Sequence, residues 1–216
     1  MISKWFDLSL RGIHYQSRFS YALLDFLKSP IHGNLRFNII KNIGGNAKSC
    51  LDVAGGPGDL ANFLPKQCQY TCIDASTGFL SNFSEDGLTA PIKFDLHEGL
   101  PNLSKEYDLV TMVISLYQFR STSASLLLDQ FKTVGKKVII VEEVRELKAQ
   151  GFSLREKVMN YLCASDFYKY TSLFSYQSFK ALAEQHGYFV YAKNKHLSIA
   201  VYGFEDVKES LGLEQL

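Results

Sequence analysis

Residues 51–61 read "LDVAGGPGDLA": an apolar run carrying one aspartate, then a succession of small residues, then a second aspartate. The stretch "SCLDVA" (49–54) has the continuous apolar character of a buried strand, and "GDLANFLPK" reads as the opening of a helix. Between them stand Ala54, Gly55, Gly56, Pro57 and Gly58. Glycines let a backbone take positive φ and approach another group closely. A helix beginning near Asp59 would aim its free N–H groups into the same space. Several small residues in a row exceed what a tight turn requires. The turn at 54–58 is therefore read as a ligand cradle.

Working outward, short apolar runs alternate with helical stretches. "YTCIDAS" (70–76), "APIKFDL" (90–96), "YDLVTMVISLY" (107–117) and "KKVIIVEEV" (136–144) are read as further strands, and "STSASLLLDQFKTV" as a helix. Continuous apolar strands separated by helices predict a parallel sheet covered on both faces. "YQSFKALAEQHG" is read as a late helix stopped at Gly187. After it, "YFVYAK" (188–193) and "HLSIAVYGF" (196–204) are separated by Asn194-Lys195 and predict an edge hairpin. The first forty or so residues show helical spacing, with "GNLRFNIIKNIGG" ending at Gly44 and Gly45. The predicted class is α/β: a Rossmann-like, doubly wound, mostly parallel seven-stranded sheet with an antiparallel C-terminal edge hairpin. One domain spans 1–216, with a helical segment over 1–46 and an aromatic-rich insertion or lid over 150–174.

Composition narrows the function. With 46% hydrophobic and 21% charged residues, the chain reads as globular rather than disordered. A net charge of +1 and no Lys/Arg-rich run speak against a nucleic-acid partner. Cys50, Cys68, Cys72 and Cys163 form no CxxC pair, so no metal is expected and buried thiols are. "MISKWFDLSLRGIHYQ" lacks the apolar core of a secretion signal, and no run approaches a membrane span of about 20 residues. The cytoplasm is the expected location.

The parallel-sheet reading places the glycine turn at the carboxyl end of the first strand, where open α/β sheets bind ligands. Gly56-Pro57-Gly58-Asp59-Leu60-Ala61 formally fits the dinucleotide pattern GxGxxA. Asp52 would repel a pyrophosphate there, and Pro57 removes one N–H that a diphosphate could use. "LDVAGGPGDLA" instead resembles the first motif of class I S-adenosylmethionine-dependent methyltransferases, in the form found among the ubiquinone- and menaquinone-biosynthesis enzymes. That motif runs acidic residue, any, Gly, any, Gly, any, Gly; here Asp52, Ala54, Gly56 and Gly58 fill its fixed positions, with Ala54 departing from glycine. The resemblance implies S-adenosylmethionine as cofactor and S-adenosylhomocysteine as product. It implies cofactor contacts from Asp52, Ala54, Gly55, Gly56 and Gly58. It further implies Asp74 on the ribose with Ala75 beside it, Asp95 near the adenine amine with Leu96 packing by the ring, and N-terminal helices capping the site.

Methyl transfer asks an enzyme chiefly to align the acceptor and exclude water. A base is needed only where the acceptor must lose a proton. Glu142 and Glu143 end the fifth strand on the ligand side, and alternation should turn one of them to the site. His14 lies in the segment that caps the cofactor in relatives. These three are the candidate catalytic residues. Tyr15, Tyr117, Phe119 and Tyr168 are the candidate acceptor contacts, drawn from aromatics that cluster near the N-terminus, after the fourth strand and in the insertion. A small, apolar or aromatic methyl acceptor is the expected partner. The rival readings are a non-catalytic binding or regulatory protein on the same fold, an NAD-type oxidoreductase, and an RNA or protein methyltransferase. The oligomeric state is left open.

Overall fold

The computed structural model describes residues 34–80, 83, 89–145 and 173–205. Helix α1 (Leu35–Gly44) leads into β1 (Ser49–Val53). After the glycine turn come β2 (Gln69–Asp74), the one-turn helix α2 (Thr77–Leu80), β3 (Thr89–Lys93) and β4 (Tyr107–Val113). Helix α3 (Ala124–Val134) runs directly into β5 (Gly135–Glu143). Helix α4 (Tyr176–Gln185), β6 (Phe189–Ala192) and β7 (Leu197–Tyr202) follow. No described helix is long and apolar enough to cross a membrane.

The seven strands form one sheet in the order β3-β2-β1-β4-β5-β7-β6. β1 to β5 are mutually parallel, and β7 lies antiparallel between β5 and β6. The mostly parallel sheet with an antiparallel C-terminal hairpin is thus as expected. The later strand of the hairpin, not the earlier one, is the inner strand. Burial explains the choice. Leu197, Ser198, Ile199, Ala200 and Val201 are all buried, as a strand covered on both faces requires. β6 leaves Phe189 65% exposed and serves as the edge.

Side-chain alternation divides the core into two layers. Leu51, Val53, Val110, Met112, Val138, Ile140 and Ala200 face α3 and α4, which contribute Leu127, Leu128, Phe131, Phe179 and Ala183. Cys50, Tyr70, Cys72, Leu109, Ile139, Val141 and Ile199 face α1, which contributes Phe37, Ile39 and Ile40. Of the helical cap expected over 1–46, the described helix α1 packs into the core on this face of the sheet. α4 starts with a reciprocal cap, in which the Ser175 side chain accepts from Ser178 N and the Ser178 hydroxyl accepts from Ser175 N.

The helix expected to open at Asp59 is instead a single 3-10 segment, Asp59–Phe63. Pro65 cannot continue a helix and restricts its predecessor to extended backbone, and Leu64 has φ −89°, ψ 162°. The turn is thus followed by one tight coil rather than a long dipole-bearing helix.

Phe131 is fully buried between α3 and the sheet, whereas Leu126 on the same helix is 46% exposed. Phe131→Ala is expected to cost about 3–5 kcal/mol in urea denaturation with an unchanged m-value. Leu126→Ala is expected to stay within about 0.5 kcal/mol of the wild type.

Candidate functional site

The chain winds outward from β1 through β2 to β3, then returns to place β4 on the other side of β1. The carboxyl ends of β1 and β4 therefore flank the point where an open α/β sheet forms its ligand crevice. The glycine turn emerges there. Ala54, Gly56 and Gly58 take φ of 53°, 58° and 77°. Left-handed backbone is free for glycine and costs other residues roughly 1–2 kcal/mol. Ala54 carries that cost at the position where the motif has glycine. Gly55 is selected by space: a Cβ there would lie 2.6 Å from Asp52 Oδ2 and 2.9 Å from Cys72 Sγ. Ile114, at the end of β4, also has positive φ, 49°, although it is β-branched. Among the described residues these are the two non-glycines with positive φ, and they follow the carboxyl ends of the paired strands β1 and β4. The Ser115 hydroxyl donates to the Ala54 carbonyl at 3.4 Å and joins the two segments.

Two carboxylates brace the turn. Asp52 is 2% exposed and points to the α1 side of the sheet. It accepts hydrogen bonds from the Tyr70 hydroxyl of β2 and, at 2.9 Å, the Thr111 hydroxyl of β4. Burial lifts its pKa from 3.8 to about 6 against the pull of those two donors, with the nearby charges of Asp74 and Asp59 adding to the rise. Asp52 thus supports the turn from below, with its oxygens on protein donors. Asp74, at the end of β2, accepts from Gly56 N at 2.9 Å through one oxygen and from Ser76 N at 2.8 Å through the other. Burial raises its pKa while those backbone donors oppose the rise. Each Asp74 oxygen keeps a further lone pair for a hydroxyl donor. Ala75 beside it is exposed.

Asp95 caps the short 3-10 segment Leu96–Glu98 by accepting from His97 N at 3.0 Å, and its side chain remains exposed. Leu96 is buried in the α3-side core, and its carbonyl accepts from Ser123 Oγ at 2.7 Å. The His97 ring lies 5.1 Å from the Phe119 ring, with Nδ1 3.0 Å from Thr122 Oγ1.

The structure separates the two candidate glutamates. Glu142 is fully buried on the α3 side, one oxygen accepting from Tyr117 N at 3.2 Å and the other from Glu143 N at 3.0 Å. Burial lifts its pKa from 4.5 to about 8 despite those backbone donors. It fastens the loop after β4 to the end of β5. Glu143 is half-buried and accepts from Arg145 Nε at 3.2 Å. Tyr117 and Phe119 belong to the core layer beneath α3, because the 3-10 segment Leu116–Phe119 turns its apolar side chains inward. His14, Tyr15 and Tyr168 lie outside the described residues, as does most of 150–174.

Tyr70, Thr111, Ile114 and Ser115 were not singled out from the sequence. Thr111 left a signal, a hydroxyl within the apolar run "YDLVTMVISLY". Its meaning needs the register that sets Asp52 opposite Thr111. Tyr70 stands diagonal to Asp52, which pairs with Cys72.

The sequence matches no protein-family model. It matches no curated protein. Its fold matches solved S-adenosylmethionine-dependent methyltransferases. The plantazolicin methyltransferase BpumL, solved with a substrate analog and S-adenosylhomocysteine, has a TM-score of 0.63 at 12% identity, covering 92% of this chain and 96% of that one. Human N-acetylserotonin methyltransferase, solved with S-adenosylmethionine, has a TM-score of 0.59 at 15% identity, covering 88% and 58%. A S-adenosylmethionine-dependent methyltransferase from Aquifex aeolicus has a TM-score of 0.57 at 16% identity, covering 83% and 96%. This chain also spans 56% of the mitomycin 7-O-methyltransferase MmcR. The chain therefore has the Rossmann-like methyltransferase fold, at a little over half the length of some of its neighbours and nearly the full length of others.

Asp52, Asp74 and Glu142 each titrate higher in the folded chain than in the unfolded one. The folded state keeps protons the unfolded state has released, so stability falls as pH rises through each interval. The interval runs from 3.8 to about 6 for Asp52 and from 4.5 to about 8 for Glu142. Urea denaturation across a pH series is expected to show stability declining up to about pH 8. Glu142→Gln should flatten the part of that decline above about pH 6, while leaving the Asp52 part below it. An unchanged profile in Glu142→Gln would refute this assignment.

Proposed function

We propose that the chain is a S-adenosylmethionine-dependent methyltransferase acting on a small molecule, with apolar or aromatic acceptors first in line. The observation that carries the reading is the Asp74–Gly56 brace beside the glycine turn, set at the switch point of a methyltransferase-fold sheet. The form of the turn, similar to that of ubiquinone- and menaquinone-biosynthesis methyltransferases, supports it, as do the cofactors bound by fold neighbours.

The residues present suit that cofactor. Ala54–Gly58 offer a backbone whose conformation and space exclude most side chains. Asp74 would hold the ribose hydroxyls through its remaining lone pairs, with Ala75 alongside. Asp95, exposed beyond its capping bond, would meet the adenine amine, with Leu96 forming the floor. Asp52 would act through the turn. When bound, the cofactor supplies an electrophilic methyl group on a sulfonium sulfur. The protein's part is to orient the acceptor, exclude water, and receive a proton where the acceptor carries one. Glu143 has the access for that last task. Glu142, with both oxygens on backbone N–H groups, instead holds the crevice wall in place.

Calorimetric titration with S-adenosylmethionine, S-adenosylhomocysteine and NADH tests the reading. Micromolar binding of both sulfur nucleosides is expected, about 10-fold or more weaker in Asp74→Ala, in which charge-assisted hydrogen bonds are lost. A folded protein that binds neither would refute it, and binding of NADH instead would install the oxidoreductase reading.

A further inference from the structure

On the reading just proposed, we infer that the methyl acceptor carries a carboxylate, and that Arg120 is the residue that recognises it. Arg120 follows the 3-10 segment Leu116–Phe119, beyond the carboxyl end of β4, and is exposed. Its guanidinium lies 5.1 Å from the centre of the Phe174 ring. Phe174 is 1% exposed and fixed on several sides. It packs 5.8 Å from Phe179, forms a parallel bridge with Val144 just past β5, and accepts from Arg145 N at 2.8 Å. An exposed cation is thus held against a buried ring beyond the carboxyl ends of β4 and β5, the end of the sheet at which open α/β folds bind ligands.

The pairing of charges points the same way. Among the described residues, the Arg120 guanidinium has no carboxylate partner. The two acids that end β5 each have a protein partner. Glu142 lies buried on the N–H groups of Tyr117 and Glu143, and Glu143 accepts from Arg145. A guanidinium stacked on a ring keeps its in-plane N–H fork open, and that planar fork matches a carboxylate with two parallel hydrogen bonds. Stacking also removes side-chain freedom before binding, so less order must be imposed when the anion arrives.

The test uses the full chain saturated with S-adenosylhomocysteine, titrated calorimetrically with two matched pairs of probes. One pair is 4-hydroxybenzoate and 4-hydroxybenzyl alcohol; the other is octanoate and octan-1-ol. At least one acid is expected to bind about 10-fold or more tightly than its neutral partner, as a bidentate charged pair provides. Which pair shows the preference tells whether the acid is aromatic or aliphatic. Arg120→Ala should abolish the preference, and Arg120→Lys, which keeps charge but loses the fork, should retain only part of it. Both variants should bind S-adenosylhomocysteine as the wild type does. Equal binding of acid and neutral partner in both pairs, no binding of either acid, or a preference that survives Arg120→Ala would overturn the inference. Failure of the wild type to bind S-adenosylhomocysteine would instead sink the methyltransferase reading, and this inference with it.

Discussion

A carboxylate enclosed by protein stands where the sheet reverses its direction of winding. Asp52 of β1 takes one donor from β2 and one from β4, so three adjacent strands meet at a single side chain. Removing a carboxylate from water is costly, and two hydroxyls recover only part of the cost. What the arrangement secures is position. The Asp52 oxygens lie where a Cβ on Gly55 would go, so the turn can settle on them only with glycine there. Asp74 then takes the Gly56 N–H from the side. The turn is held by two acids, and its backbone remains open toward the crevice.

The rest of the sheet serves that placement. The parallel strands are apolar on both faces, and α1 on one side and α3 with α4 on the other seal them. With both faces covered, only the strand ends can meet a ligand. Strain collects at those ends. Ala54 and Ile114 both hold left-handed backbone, one just past β1 and one just past β4, and the Ser115–Ala54 hydrogen bond links the two segments. Unfavourable backbone of this kind persists where surrounding packing over-determines it, and it clusters at functional sites. Glu142 plays a matching part further along the sheet, tying the loop after β4 to the end of β5.

Much of this was legible in the sequence. The apolar runs around Leu51, Ile73, Val110 and Ile140, spaced by helical stretches, imply a parallel sheet, because only strands buried on both faces can be apolar throughout. The succession Ala54 to Gly58 implies a turn that needs bare backbone, and the aspartates at 52, 74 and 95 fall at successive strand ends because apolar runs stop there. Local pattern suffices for these, since each depends on a few neighbouring residues. It does not suffice for the length of the coil after the turn, where Pro65 cuts short what "GDLANFL" begins.

Tertiary structure alone decided what those residues do. Asp52 could have faced a ligand. The register that sets it between Cys72 and Thr111 turns it to Tyr70 and the α1 side instead. Glu142 and Glu143 are indistinguishable as letters, yet alternation buries the first and leaves the second at the rim. The rings of Tyr117 and Phe119 lie in the core layer beneath α3 because their 3-10 segment turns inward. Arg120 carried no signal until Phe174, 54 residues further along, was brought beneath it. Sequence pattern specifies which residues must be buried and where the backbone must bend, because those demands are local. Which donor meets which acceptor depends on strand register and packing across distant segments, and only the folded chain sets these.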